Sequence, residues 1–265
     1  MKSLRWSWLA LGFGAYVAFA MAQFPADVAY RWFGGFFAQL RLAGVSGTVW
    51  NGRAALGSVP GLPMHDIAWT LDALPLLVGR AAIDFDLRLA DGFLRGRLDA
   101  SPRTLAFDGV QAATTLTTLG ALLPLQGTRG MLSLNIDELD LRNGWPVSAA
   151  LRLRVRQIEV PPLVPGAASG LIALGDYELS DVEIGDRRFA AKLHDTGGPL
   201  EVDGTVALEL ASPGTLDGAV PTFDGRVRER ESLPEALRQP LDFLTVERDA
   251  EGWRTLDLDP WLSAL

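Results

Sequence analysis

The sequence predicts a mostly β protein: a single N-terminal transmembrane helix followed by a curved antiparallel β-sheet meander with one or two short helices. Three observations support this prediction. No charged residue occurs between residues 6 and 26, apolar residues alternate with polar ones beyond residue 40, and turn residues recur between the alternating runs. A chain of 265 residues is long enough for one domain and an anchor.

The first segment has the pattern of a membrane anchor. Lys2 and Arg5 precede 21 uncharged residues, and at about 1.5 Å per residue these would cross a hydrocarbon core of about 30 Å. The positive N-terminus would lie in the cytoplasm and the bulk of the chain outside it, which is the periplasm in a Gram-negative cell. We therefore predict that residues 1–26 form a cytoplasmic N-terminus and transmembrane anchor. The predicted anchor side chains are Trp6, Trp8, Leu9, Leu11, Phe13, Val17 and Phe19.

Two features of this region have alternative interpretations. Ala20-Met21-Ala22 resembles a signal-peptide cleavage site, so the segment could instead be removed on export. Residues 27–42 show helical spacing of apolar side chains, interrupted by Gly34-Gly35. This juxtamembrane segment would either lie at the membrane interface or pack against the domain that follows.

Residues 43–265 are predicted to form a periplasmic β domain. In the runs 83–89 and 151–156, every second residue is apolar and the residues between are charged, which is typical of strands with one dry face. In the first hairpin, Asn51-Gly52 predicts a two-residue turn with positive φ angles, with Trp50 at the rim of the sheet.

Helices are scarce beyond residue 45. Spacing predicts one over Ala113–Leu123 and another over Leu233–Leu244, which Pro240 should bend or break. Each buried aliphatic side chain contributes about 1.5–3 kcal/mol, so a dry face left uncovered would be costly. The sheet must therefore curl, meet a second sheet, or offer that face to a ligand or partner. The candidate apolar groove comprises Ile83, Phe85, Leu87, Leu132, Leu134, Leu151 and Leu153.

Charged and titratable residues give little indication of catalysis. Arg152, Arg154 and Arg156 form a basic stripe that is either the wet face of a strand, neutralised by Glu138 and Asp140, or a contact for phospholipid head groups or an acidic partner. The two histidines, each followed by aspartate, are interpreted as surface or loop residues rather than a metal pair.

Several classes of function are disfavoured by composition. The chain has no cysteine, and its net charge of −8 argues against nucleic-acid binding. The usual nucleophile, phosphate-loop and zinc-protease motifs do not occur. We predict no catalytic residue, metal or cofactor, and leave an exported hydrolase as a remote alternative.

Several segments in order carry a resemblance to a known family. They are GVSGTVWNGRA (44–54), IAWTLDALPLLVGR (67–80), DFDLRLADGFLRGRL (84–98), GMLSLNIDELDLRNGWPVSAALRLRV (130–155), LGDYELS (174–180) and DTGGPLEVDGTVAL (195–208). The chain resembles the type II secretion system protein N family, and more distantly the AsmA-like periplasmic proteins. The first resemblance implies an inner-membrane protein acting by contacts with other secretion components. The second implies an apolar groove that binds or transfers phospholipid. The C-terminal stretch 241–265 departs from the family pattern.

Overall fold

The computed structural model describes most of the chain. The described residues are 3–37, 40–120, 127–161, 170–185, 188–209, 220–231, 233–244 and 248–255. Within them lie five α-helices, one 3-10 helix and 14 strands.

The helices are short except for the first. They are α1 (Ser3–Ala22), α2 (Ala26–Phe33), the 3-10 helix Gly34–Phe37, α3 (Ala73–Leu76), α4 (Leu116–Leu119) and α5 (Glu235–Leu244). The strands are β1 (Arg41–Ala43), β2 (Ser46–Gly47), β3 (Asn51–Val59), β4 (Leu62–Asp72), β5 (Ala81–Leu89), β6 (Gly92–Ala100), β7 (Thr104–Thr115), β8 (Arg129–Arg142), β9 (Trp145–Val160), β10 (Ile172–Ile184), β11 (Arg188–Gly197), β12 (Leu200–Glu209), β13 (Val220–Glu229) and β14 (Trp253–Thr255).

The strands form one antiparallel sheet in nearly sequential order. The order runs from β1 to β3 and then through each strand in turn to β14, while β2 pairs with β3. Within the described residues β1 and β14 are the two ends of this path, so the sheet is open. The predicted antiparallel meander is confirmed. Short loops favour this arrangement, because only antiparallel neighbours can be joined by tight turns.

The first hairpin differs from its prediction. Thr48 N–H donates to Asn51 O at 3.0 Å, so the turn lies before Asn51-Gly52, and these two residues begin β3. Gly52 is required for a different reason: a Cβ there would lie 2.2 Å from Trp69 Cζ2. The sequence cannot show this contact, because Trp69 reaches Gly52 only through the pairing of β3 with β4.

Both predicted helices have other boundaries. Residues 113–115 continue β7 because they pair with β8, which leaves only α4 as helix; residues 121–123 lie outside the described residues. The second helix begins at Glu235, and its predicted break at Pro240 is wrong, since α5 continues to Leu244. We attribute this continuity to packing of Leu237 and Leu241, which are both buried.

The N-terminal helix requires a correction. α1 covers 20 residues, but no helix in the described part of the chain combines the length and apolarity required to cross a bilayer. The prediction of a transmembrane helix is therefore not supported. Trp8, Leu9, Leu11, Phe13 and Phe19 are exposed and Val17 is half-buried, while the side chain of Trp6 lies outside the described set.

The juxtamembrane segment contacts the sheet. Ala26 is buried, and the Tyr30 hydroxyl accepts a hydrogen bond from Leu42 N–H at 2.8 Å and donates to Leu40 O at 3.3 Å. Trp32, on the predicted apolar face, is instead exposed. Val28 and Leu40, which share the helical spacing of Trp32, are half-buried.

Two clusters of buried apolar residues lie towards the two ends of the sheet, while Val110 on β7 and Leu116 on α4 are buried between them. One cluster lies in β3–β5 and comprises Ala54, Met64, Ile67, Leu87 and Leu89. The other lies between β10, β12, β13 and α5 and comprises Ile172, Val202, Val227, Leu233, Leu237 and Leu241. The central strands lie between these clusters.

Candidate functional site

One face of the sheet carries a continuous row of aliphatic side chains. Strand register aligns Leu87 with Leu94, Ala112, Leu134, Leu153, Leu179 and Leu193 in adjacent strands from β5 to β11. Residues in register point to the same side, as do alternate residues along a strand. We call this side the apolar face. It carries all seven candidate groove residues.

The centre of the apolar face is left open. β8 and β9 are the two longest strands and lie wholly within the described residues, yet neither contains a buried residue. Their apolar residues Leu132, Leu134, Leu151 and Leu153 are only half-buried. A second layer would bury these side chains, so their exposure leaves an apolar trough between the two end clusters.

An apolar cleft lies at the N-terminal end of this trough. The cleft has a volume of about 490 Å³ and lies between α2 and the apolar face of β4 and β5. Ala29 and Tyr30 line one side, and Trp69, Ile83 and Leu87 line the other. It contains no charged lining residue. A hydrocarbon chain would therefore be better suited to it than a polar ligand.

The basic stripe lies on the opposite face. Arg152 Nε contacts Glu178 Oε1 at 3.1 Å, and Arg154 Nε donates to Glu178 Oε2. Glu178 lies on β10 and is 8% exposed, whereas both arginines are about half-exposed. The neutralising group is thus Glu178 rather than Glu138 or Asp140. Because the Glu178 carboxylate contacts both guanidinium groups, the geometry favours the solvated strand face over a phosphate-binding site for Arg152 and Arg154. Arg156, the third residue of the stripe, is exposed on the same strand.

Glu178→Gln is expected to lower the free energy of unfolding by about 1–2 kcal/mol, because two guanidinium groups lose their anionic acceptor while remaining partly hydrated. Urea unfolding monitored by tryptophan fluorescence would measure the change. Glu138→Gln is the control, since that exposed carboxylate accepts a bond from Ser148 Oγ at 3.3 Å, and its change should stay within about 0.5 kcal/mol. Equal effects of the two substitutions would contradict the bridging role of Glu178.

A second ion pair borders the C-terminal cluster. Asp195 on β11 contacts Arg230 at 2.7 Å, and its side chain is 7% exposed. Tyr177 is in register with Asp195, and its hydroxyl donates to Leu174 O at 3.0 Å. Burial, reinforced by the negative charge of Asp195 and opposed by Arg230, raises the pKa of Tyr177 to about 12. This tyrosine therefore stays protonated well into alkaline solution.

The raised pKa of Tyr177 predicts a loss of stability at high pH. A phenol whose folded pKa exceeds its unfolded value stabilises the fold below the unfolded value of about 10, and this contribution disappears as pH rises through about 12. Between these limits we expect the free energy of unfolding to fall by about 2 kcal/mol. Tyr177→Phe should remove this component. Parallel pH profiles for the parent and the variant would contradict it.

The two histidines lie in strands rather than loops; His65 is at the surface, as one of the two predicted alternatives had it, and His194 is half-buried. His65 is on β4 and His194 on β11, seven positions apart in the order of the sheet. In the part of the chain that the structure describes, no group of three or more metal-ligating side chains forms.

The comparisons with known proteins agree on one family. The family model described as type II secretion system (T2SS), protein N matches residues 38–257, which include every strand of the sheet. The chain belongs to the type II secretion system protein N family. A relative named type II secretion system protein N, from Aeromonas hydrophila, is 27% identical over 252 residues, which are 92% of this chain and 93% of that protein. No solved structure matches the chain.

Sequence reasoning missed several groups on the two faces of the sheet and at its edge. Glu178 gave no signal, because its role depends on the pairing of β9 with β10. Tyr30 lies outside the apolar spacing of α2. The run ALPLLVG at 73–79 was visible as an apolar interruption between two alternating strands, and the structure places it in the exposed loop between β4 and β5.

Proposed function

We propose that this protein is a non-enzymatic component of the type II secretion system, attached to the inner membrane with its sheet in the periplasm, where it acts through contacts with other secretion components. The family match over the entire described sheet is the observation that carries this proposal. The scarcity of catalytic motifs in the sequence is consistent with it.

The properties of α1 support attachment to a membrane. Apart from the half-buried Val17, its apolar side chains from Trp8 to Met21 are exposed, and the sequence has no charge between Trp6 and Ala26. Exposing such a surface to water is costly, whereas lipid accommodates it. We propose that α1 is embedded in lipid with Lys2 and Arg5 on the cytoplasmic side.

Cysteine labelling can test this topology, because the natural chain has no cysteine. Ser3→Cys should react with an impermeant maleimide only after cells are lysed. Asn135→Cys, on the wet face of β8, should react in intact spheroplasts. Labelling of both sites in intact spheroplasts would reject the proposed orientation. A purified chain whose N-terminus lies near Gln23 would instead identify a cleaved signal peptide.

The secretion role requires a test in secreting cells. A photo-crosslinking residue at exposed positions on the wet face, such as Arg88 and Arg156, should capture an identified secretion component. Deletion of the gene should reduce secretion, and the parent chain should restore it. Normal secretion after deletion, together with failure to capture any component, would overturn the proposal.

The open apolar face favours a second candidate, binding or transfer of phospholipid. Half-buried leucines across β8 and β9 and the apolar cleft under α2 together offer a surface that suits acyl chains. Native mass spectrometry of residues 24–265, purified without detergent, should show phospholipid adducts. A clean unliganded mass would reject this candidate and leave the secretion role untouched.

A further inference from the structure

The hairpin between β4 and β5 exposes an unusual amount of apolar surface. We call residues 73–79 the apolar hairpin. Leu74, Leu77 and Val78 are 79%, 82% and 75% exposed. Three such side chains on one short loop form a patch that would be unfavourable in water.

The apolar hairpin lies at the same end of the sheet as the C-terminal end of α1. Trp50 links the two: its indole N–H donates to Met21 O at 2.7 Å, and its own carbonyl accepts from Leu71 N–H at 2.8 Å. Leu71 is two residues before the hairpin. The patch is thus held close to the point where α1 leaves its proposed lipid environment.

The connections β6–β7 and β8–β9 at this end of the sheet are polar. Antiparallel order brings the connections β6–β7 and β8–β9 to the same end as β4–β5. They consist of Ser101-Pro102-Arg103 and Asn143-Gly144. The β2–β3 turn at this end also contains Val49 and Trp50, but both are half-buried, so the exposed apolar side chains of the described connections here belong to the loop between β4 and β5.

The hairpin backbone satisfies much of its own hydrogen bonding. The amides of residues 77–80 donate to carbonyl groups within the loop: Leu77 to Leu74, Val78 to Pro75, Gly79 to Leu76 and Arg80 to Pro75, at 3.0–3.2 Å. Pro75 has no amide hydrogen. A loop whose donors are already paired can enter a region poor in water at lower cost.

Ion pairs around Arg97 stabilise the base of the apolar hairpin. Asp72 accepts a hydrogen bond from Arg97 Nη2 at 2.6 Å, and Arg97 also contacts Asp84 at 3.0 Å and Asp99 at 3.4 Å. The hydrogen bond to Asp72 is the main reason that the pKa of Arg97 is raised, so this group stays charged. The apolar tip is thus supported by a polar base.

We infer that the apolar hairpin inserts into the surface of the lipid bilayer beside α1 and holds the sheet against the membrane. The inference depends on the proposed membrane attachment of α1, to whose C-terminal end the hairpin is linked through Trp50. Leu71 and Ile83, which flank the hairpin, also line the apolar cleft. Insertion therefore places the mouth of the cleft next to lipid.

Quenching of a site-specific probe tests the insertion in the full chain. Leu77→Cys, Leu11→Cys and Val147→Cys are each labelled with an environment-sensitive fluorophore and reconstituted in phosphatidylethanolamine–phosphatidylglycerol vesicles. Vesicles with and without brominated acyl chains are then compared. Leu11 reports on α1, while Val147 is the matched control, an apolar residue 46% exposed near the polar Asn143-Gly144 turn.

The possible results distinguish insertion of the apolar hairpin from attachment through α1. We expect the Leu77 and Leu11 probes to shift to the blue and lose fluorescence to brominated chains, and the Val147 probe to do neither. Quenching at Leu11 with a water-like Leu77 probe overturns the inference and leaves attachment through α1 intact. Quenching at Leu77 alone rejects the α1 proposal and, with it, insertion beside α1, while quenching at neither site rejects both membrane contacts.

Discussion

Leu237→Ala is expected to lower the free energy of unfolding by about 2–5 kcal/mol, the range for truncating a buried leucine. Leu237 is 5% exposed and belongs to the cluster in which Val227 and Val202 of neighbouring strands are also buried. A typical domain has a total stability of about 5–15 kcal/mol, so this loss would be a large fraction. Urea unfolding of the full chain in mild detergent, followed by tryptophan fluorescence, would measure it.

The matched control is a leucine in a short helix on the surface. Leu74→Ala removes the same atoms from a side chain that is 79% exposed, and its effect should stay within about 0.5 kcal/mol. If Leu237→Ala behaved like Leu74→Ala, α5 would not cover the sheet in solution. The C-terminal end of the apolar face would then be as open as its centre.

The double substitution Leu134→Asp and Leu153→Asp is expected to weaken phospholipid retention at least about 100-fold. These residues are paired across β8 and β9 on the open part of the apolar face. A carboxylate against hydrocarbon costs several kcal/mol, and each 1.4 kcal/mol is about tenfold in affinity. Native mass spectrometry of residues 24–265 would show the loss of adducts.

A control for this experiment lies on the same strand. Ser133→Asp and Asn135→Asp add the same two carboxyl groups to β8, but alternate residues point to the wet face. Adducts should persist in this variant, and urea unfolding would show whether either pair perturbs the fold. Retention of lipid by a folded Leu134→Asp, Leu153→Asp chain would place the ligand elsewhere or remove lipid binding altogether.

Alternation and turn chemistry indicated much of the sheet correctly. The pattern in 83–89 and 151–156 predicted strands with one dry face, and the structure has β5 and β9 there. Asn143-Gly144 is a two-residue connection with φ angles of 51° and 81°, as such turns require. These features depend on a few neighbouring residues, which a sequence displays directly.

Features that depend on distant residues were not predictable in the same way. β7 extends through Ala113 because β8 offers it partners, although local spacing favoured a helix. α5 passes through Pro240 because its leucines are buried against the sheet. The predicted transmembrane helix followed from the length of the uncharged segment and from the positive charges before it, whereas no helix among the described residues is long and apolar enough to cross a bilayer.

The sequence by itself determined that this protein is an antiparallel sheet with one dry and one wet face, since the two-residue alternation of side chains is a local property of extended backbone. Only the tertiary structure decided which part of the dry face is covered. Coverage depends on where α2 and α5 meet the sheet, and these contacts join residues far apart in the chain. The same long-range pairing brings Glu178 to two arginines and places the apolar hairpin beside the end of α1.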